Sequence, residues 1–160
     1  MNYRNLFILI FFLVPQLSSG QEIISLYGTD FIGGANQHYS SFHFGERRTN
    51  YVYAKPTCKN SVMSATFNLN KIPTEEMYLY LKACDDDGAA QCKIELKLND
   101  TVLISGSSGF PNRKWETKKI LIPAGTLKPG ENTIVITNQE ETGLLGNIPW
   151  FMLASLTIAV

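Results

Sequence analysis

The sequence predicts an all-β, antiparallel sandwich filling one domain, and three observations carry that prediction. Short runs alternate at period two: Met63, Ala65, Phe67 and Leu69 between Ser64, Thr66 and Asn68, then Cys92, Ile94, Leu96 and Leu98 between Lys93, Glu95 and Lys97. Turn residues separate such runs at intervals of roughly 8–12 residues, the spacing of sandwiches and barrels. The stretch from Trp115 to Asn138 reads as strand, turn, strand. Ile120-Leu121-Ile122 ends at Pro123, Leu127 to Asn132 is turn chemistry, and Thr133 to Thr137 resumes with β-branched residues. No amphipathic helix pattern interrupts them.

In order, Ile23 to Tyr27 is a first short strand and Gly28 to Gln37 a glycine-rich loop. His38 to Phe44 alternates imperfectly, and Tyr51-Val52-Tyr53 is extended up to Pro56. Val62 to Leu69 is one-sided. Met77 to Cys84 is apolar on both faces, as an interior strand is. Asp85 to Gln91 is a polar loop, and Asn99-Asp100 suits a tight hairpin before Val102-Leu103-Ile104. Ser105 to Lys114 is a loop. Trp150 to Val160 closes the chain, with Trp150, Met152, Ala154, Leu156 and Ile158 expected on one face. About eight strands are expected in all.

Residues 1–20 read as a signal peptide. Arg4 supplies the positive charge, Leu6 to Val14 is an unbroken apolar run of nine, and Ser18-Ser19-Gly20 offers small residues for cleavage. Nine apolar residues fall far short of the ~20 that span a bilayer. The domain then runs over residues 21–160, and a secreted, periplasmic or extracellular location is expected. Gln21 stands where a lipid-anchor box requires cysteine. Basic and acidic residues balance at 14 each, with no arginine-rich run, so nucleic acid is not an expected partner.

An oxidising compartment lets cysteines pair. Of Cys58, Cys84 and Cys92, the last two bracket a short loop and are expected to bridge, leaving Cys58 over. If β-strands carrying the pair face each other directly, Tyr80 would oppose Leu96. The other arrangement has the loop crossing between sheets.

Lys93 to Leu103, then Trp115 to Ile136, then Pro149 to Val160 together resemble the galactose-binding-like β-sandwich, a jelly roll. It occurs in carbohydrate-binding modules and in the sugar-binding domain of family 2 glycoside hydrolases. Asn99 matches the hairpin asparagine of that pattern, with Asp100 in place of glycine, and Leu127, Pro129, Gly130 and Asn132 match its turn. The resemblance covers roughly Met77 to Val160. It implies the architecture and places no ligand. It also implies that a structural calcium is common. Asp85 and Asp87 of the Asp85-Asp86-Asp87-Gly88 loop are one candidate and Asp30 a second, and neither has an identified partner in the sequence. Three adjacent carboxylates lack the spaced donors of a calcium loop, so a solvated loop is the stronger reading there.

Catalytic constellations are missing. His38 and His43 sit five apart, which points them to opposite faces of a strand. No Gly-x-Ser-x-Gly elbow occurs, and Glu95 lies on a solvated face between Lys93 and Lys97. Sugar-binding chemistry does have material: aromatic faces stack on pyranose C–H groups while polar side chains bond the hydroxyls. The candidates are Trp115, Phe110, Asn112 and Arg113 in one stretch, with Tyr39, Tyr53 and Arg47 near the first loops. Trp150 is expected in the core. Trp115→Ala is expected to remove binding with little change in thermal midpoint. The leading reading is a secreted, non-catalytic carbohydrate-binding module or accessory protein with a glycan partner. The alternative is a structural or adhesive sandwich that binds another extracellular or envelope protein.

Export is expected to cleave after Gly20. Mass spectrometry of the exported protein should find Gln21 at its N-terminus, and an intact Met1 would contradict the assignment.

Overall fold

The structure, a computed structural model, describes residues 21–35, 44–54, 60–85, 91–141 and 150–160. Among the described residues, ten strands form a two-sheet antiparallel sandwich. They are β1 (Glu22–Tyr27), β2 (Ile32–Gly33), β3 (Asn50–Tyr53), β4 (Val62–Leu69), β5 (Tyr78–Asp85), β6 (Lys93–Leu98), β7 (Thr101–Ser107), β8 (Glu116–Leu121), β9 (Gly130–Asn138) and β10 (Trp150–Ala159). The only helix among them is a single 3-10 turn, Gly28–Asp30. None is long and apolar enough to cross a membrane. The expected strand over His38 to Phe44 lies almost wholly outside the described residues.

The first sheet runs β1-β10-β5-β8, with β3 also paired to β10; the second runs β2-β4-β9-β6-β7. Period-two burial places Met63, Ala65, Phe67 and Leu69 of β4, and Ile94, Leu96 and Leu98 of β6, against Leu79, Leu81 and Ala83 of β5. Each of these larger side chains, fully withdrawn from water, contributes about 1.5–3 kcal/mol before chain entropy is counted. The core therefore lies between the sheets, and the outer face of β5 carries Tyr78, Tyr80 and Lys82.

Four points are decided. First, β5 and β6 belong to different sheets, the second of the two arrangements above, and Tyr80 does not oppose Leu96. Tyr80 instead pairs Thr157 and Lys119. Second, β8 and β9 also lie in different sheets, so the turn between them is a crossover. Third, Trp150 leaves the core. The β10–β5 register shifts between Leu153 and Ser155, and this bulge breaks the period of two. Phe151 and Leu153 face inward before it, and Leu156 and Ile158 face inward after it. Trp150 and Met152 consequently point outward.

The fourth point concerns Asn132, whose side chain carries the turn. Its Oδ1 accepts from Lys128 N–H (3.0 Å) and from Asn99 Nδ2 (2.9 Å), and its Nδ2 donates to the carbonyls of Lys128 (2.8 Å) and Gly130 (3.0 Å). Asn99 extends the network. Its Nδ2 donates to Thr126 O (2.7 Å) and its Oδ1 accepts from Thr133 N–H (3.0 Å). Asn99 has φ 52 and Gly130 φ 86, so both turns use left-handed residues, asparagine being one of the few side chains that tolerates the position. The β6–β7 hairpin and the β8–β9 crossover are thus pinned to each other by two asparagines.

Asn132 is fully buried. Asn132→Ala leaves two donors and two carbonyls in need of partners and should cost about 2–4 kcal/mol. Urea unfolding checks this; an unchanged midpoint would show that the turn holds without the network.

Candidate functional site

Alternation along β3, β5 and β10 builds a second apolar cluster on the outer face of the first sheet. Val52, Ala83, Phe151 and Leu153 point into the core, so their neighbours point out. The outward residues are Tyr51 and Tyr53 of β3, Cys84 of β5, and Trp150 and Met152 of β10, joined by Ala35 and Trp115. Register explains why they meet. Met152 pairs both Cys84 and Tyr51, and Trp150 pairs Tyr53. The Trp150 ring lies 5.6 Å from that of Tyr51 and 5.2 Å from that of Tyr53, each tilted by about a third of a right angle. Tyr51, Tyr53, Cys84 and Met152 are buried, while the two tryptophans are half-buried and form the exposed side of the cluster.

The segment between β7 and β8 forms the rim. Asn112, Arg113 and Lys114 are exposed, and Trp115 follows them into the cluster. The path is held from β5. Asp85 N–H donates to Pro111 O (3.1 Å), and Arg113 N–H donates to Asp85 O (2.7 Å). Asp85 and Asn112 form an isolated parallel bridge. The predicted residues thus separate. Trp115, Arg113 and Asn112 come together at this end. Phe110 does not join them. It is fully buried in the main core, with its ring edge-on to Phe151 at 5.7 Å and Lys118 Nζ 4.5 Å from its centre, so it cannot meet a ligand. The apolar pocket between the sheets, rather than the polar loop around it, decides where that ring goes.

Arg47 is exposed in a segment laid over the same outer face, where Glu46 pairs with Lys82 of β5, two residues from Cys84. Tyr39 lies outside the described residues. Tyr51 and Trp150, which the loop-centred expectation passed over, are the additions. The signal for Tyr51 was present, since Tyr51-Val52-Tyr53 brackets a core valine. Trp150 was hidden by the β10 bulge.

The cysteines are not bridged to one another. Cys84 faces the outer aromatic cluster and Cys92 the main core, so the sheet itself separates the two sulfurs. Short sequence separation suggested the bridge; the crossing of the loop between sheets prevents it. Cys58 lies outside the described residues.

Two of the calcium candidates are engaged by protein donors. Asp85 Oδ2 accepts from Cys92 N–H (2.7 Å) and Ser108 Oγ (3.0 Å). Asp30 accepts from Tyr27 N–H (2.7 Å) and from Arg48 Nη2 (3.1 Å). Asp87 lies outside the described residues. No group of three or more His, Cys, Asp and Glu able to hold a metal occurs among the described residues.

Further along the outer face, Tyr78 donates its hydroxyl to Glu76 Oε2 (2.9 Å), and Lys119 Nζ sits 3.6 Å from the Tyr78 ring centre. This part of the face is polar-aromatic and open.

No protein-family model and no curated protein matches the sequence. Solved structures do match the fold. A CBM36 carbohydrate-binding module in complex with calcium and xylotriose superposes with a TM-score of 0.51 at 10% identity, covering 84% of this chain and 98% of that one. The likeness is one of fold. A family 35 carbohydrate-binding module from an environmental isolate covers 90% of each chain at 13% identity, TM-score 0.50. The Podospora anserina GH26-CBM35 mannanase matches at 16% identity and TM-score 0.50, covering 85% of this chain and 27% of the longer enzyme. The two-sheet sandwich expected from sequence holds, and several matches cover only part of larger enzymes.

The hydrogen bond to Glu76, and then that carboxylate's charge, hold the Tyr78 phenol pKa above its ordinary value. In the ultraviolet pH titration, Glu76→Gln should move one tyrosine's ionisation to lower pH. A titration identical to the parent's would show that Glu76 does not control it.

Proposed function

We propose that the chain is a non-catalytic carbohydrate-binding module or accessory protein that takes a glycan at the aromatic end of the first sheet. One observation carries the reading: a cluster of four aromatic rings stands outside the core, beside an exposed rim of Asn112 and Arg113. Trp115 and Trp150 offer half-buried indole faces on which a pyranose can stack, and Arg113 and Asn112 supply donors for its hydroxyls. The likeness to family 35 and 36 modules supports the ligand class, and xylotriose, the ligand in one of those structures, is the first sugar to try.

Stacking against a hydrated sugar leaves little net free energy after desolvation, so a dissociation constant in the high micromolar to millimolar range, about −4 to −6 kcal/mol, is expected. Two substitutions test the site by calorimetry and thermal melting. Trp115→Ala should weaken binding about tenfold or more and also cost about 1–3 kcal/mol of stability, because the ring packs against the outer apolar cluster. This replaces the stability-neutral outcome expected from sequence. Arg113 has φ 55, so Arg113→Gly keeps the backbone shape and its N–H while deleting the guanidinium. It should weaken binding about fivefold without lowering the midpoint. A glycan array that retains nothing, or full affinity in both variants, would overturn the reading.

A further inference from the structure

Asp85 ends β5 and is fully buried on the inner side of the sheet, in the register row Asp85, Phe151, Val52. Its side chain makes no strand pairing. It reaches Cys92 N–H (2.7 Å) just ahead of β6 and Ser108 Oγ (3.0 Å) just after β7. Ser108 is itself buried, and its Oγ also accepts from Phe110 N–H (3.3 Å). The Asp85 main chain then takes the far end of the same segment through Pro111 O and Arg113 N–H. One residue therefore grips the segment 108–113 at entry and at exit.

The gripped segment is bent at both ends by left-handed residues, Gly109 (φ 68) and Arg113 (φ 55). Glycine adopts that region freely; arginine does so against steric cost, which persists only where surrounding contacts over-determine the conformation. The bond from Arg113 N–H to Asp85 O is such a contact. A long cationic side chain stands at a position where glycine would strain less, and it stands beside Trp115.

We infer that Asp85 is a positioning residue for the glycan site: its clamp on 108–113 holds Arg113 in the left-handed conformation and so aims the guanidinium and the Trp115 ring at a ligand. The inference rests on the reading of the site above only for its ligand readout. Its structural readout is independent.

The test uses the full chain with Ser108→Ala, Ser108→Thr and Asp85→Asn. Amide exchange at Arg113 and the Trp115 indole resonance, assigned with Trp115→Phe, report the clamp; xylotriose affinity reports the site. In Ser108→Ala, Arg113 exchange should quicken about tenfold while core amides of β4 and β6 stay protected. The Trp115 resonance should move, and xylotriose binding should weaken about fivefold. Ser108→Thr, which keeps the hydroxyl, should restore all three. Asp85→Asn should act in the same direction; if it fails to fold, the serine pair still decides. Unchanged Arg113 exchange in Ser108→Ala would overturn the inference, as would acceleration spread evenly over the core, which marks a merely structural role. Should the parent bind no xylotriose or other glycan while Arg113 exchange still responds, the site reading falls and the clamp stands.

Discussion

The arrangement depends on how β10 is paired. On one side it meets β5 along nearly its whole length. On the other it meets two shorter strands placed end to end, β3 against Trp150 to Leu153 and β1 against Ser155 to Ala159. The bulge between Leu153 and Ser155 falls at that junction. It reverses which residues face out, so the outer surface divides in two. Next to β3 it is aromatic, with Trp150 and Met152 over Tyr51 and Tyr53. Next to β1 it is hydroxylic, with Ser25 Oγ 3.2 Å from Thr157 Oγ1. A strand of unbroken period would have carried one character along its length.

The same pairing explains why the candidate site sits where it does. The end of β5, the start of β10 and the whole of β3 converge there, and the segment entering β8 passes beside them. A sandwich must bury one face of each sheet, and the outer face is free to carry something else. Here that face carries rings packed on one another, stiff enough to keep their orientation. The buried polar groups nearby, Asp85 and Ser108, work as fasteners between strand ends; the rings and the rim face outward.

Much of the fold was legible in the residues. The period-two runs of β4 and β6 are strands with the expected faces because one-sided burial leaves no other reading. Asn99 and the Leu127 to Asn132 stretch are turns because left-handed positions restrict the residue choice. What was not legible is sheet membership. Local alternation says which side of a strand is apolar, and says nothing about which sheet the strand joins. That gap produced the Cys84–Cys92 bridge and left the Tyr80–Leu96 register open. At the site, Trp115, Arg113 and Asn112 stood out as an aromatic and two polar side chains in one segment. Phe110 carried the same signal and went to the core instead. Its neighbour Ser108, tied to Asp85 from another strand, bends the segment inward, and a contact between residues so far apart in sequence leaves no local trace.

The sheet assignments also govern the route by which the chain can fold. Going from β1 to β10, successive strands alternate between the two sheets at every step except β6 to β7. Almost no pair can therefore zip up from a local turn, and loop entropy is spent before most contacts form, which places folding toward the slow end of the range for domains of this size. The strand shared by β1, β3 and β5 follows all three in the chain. Until β10 is available, β1 and β3 lack their partner in the first sheet, and only β5 and β8 can pair.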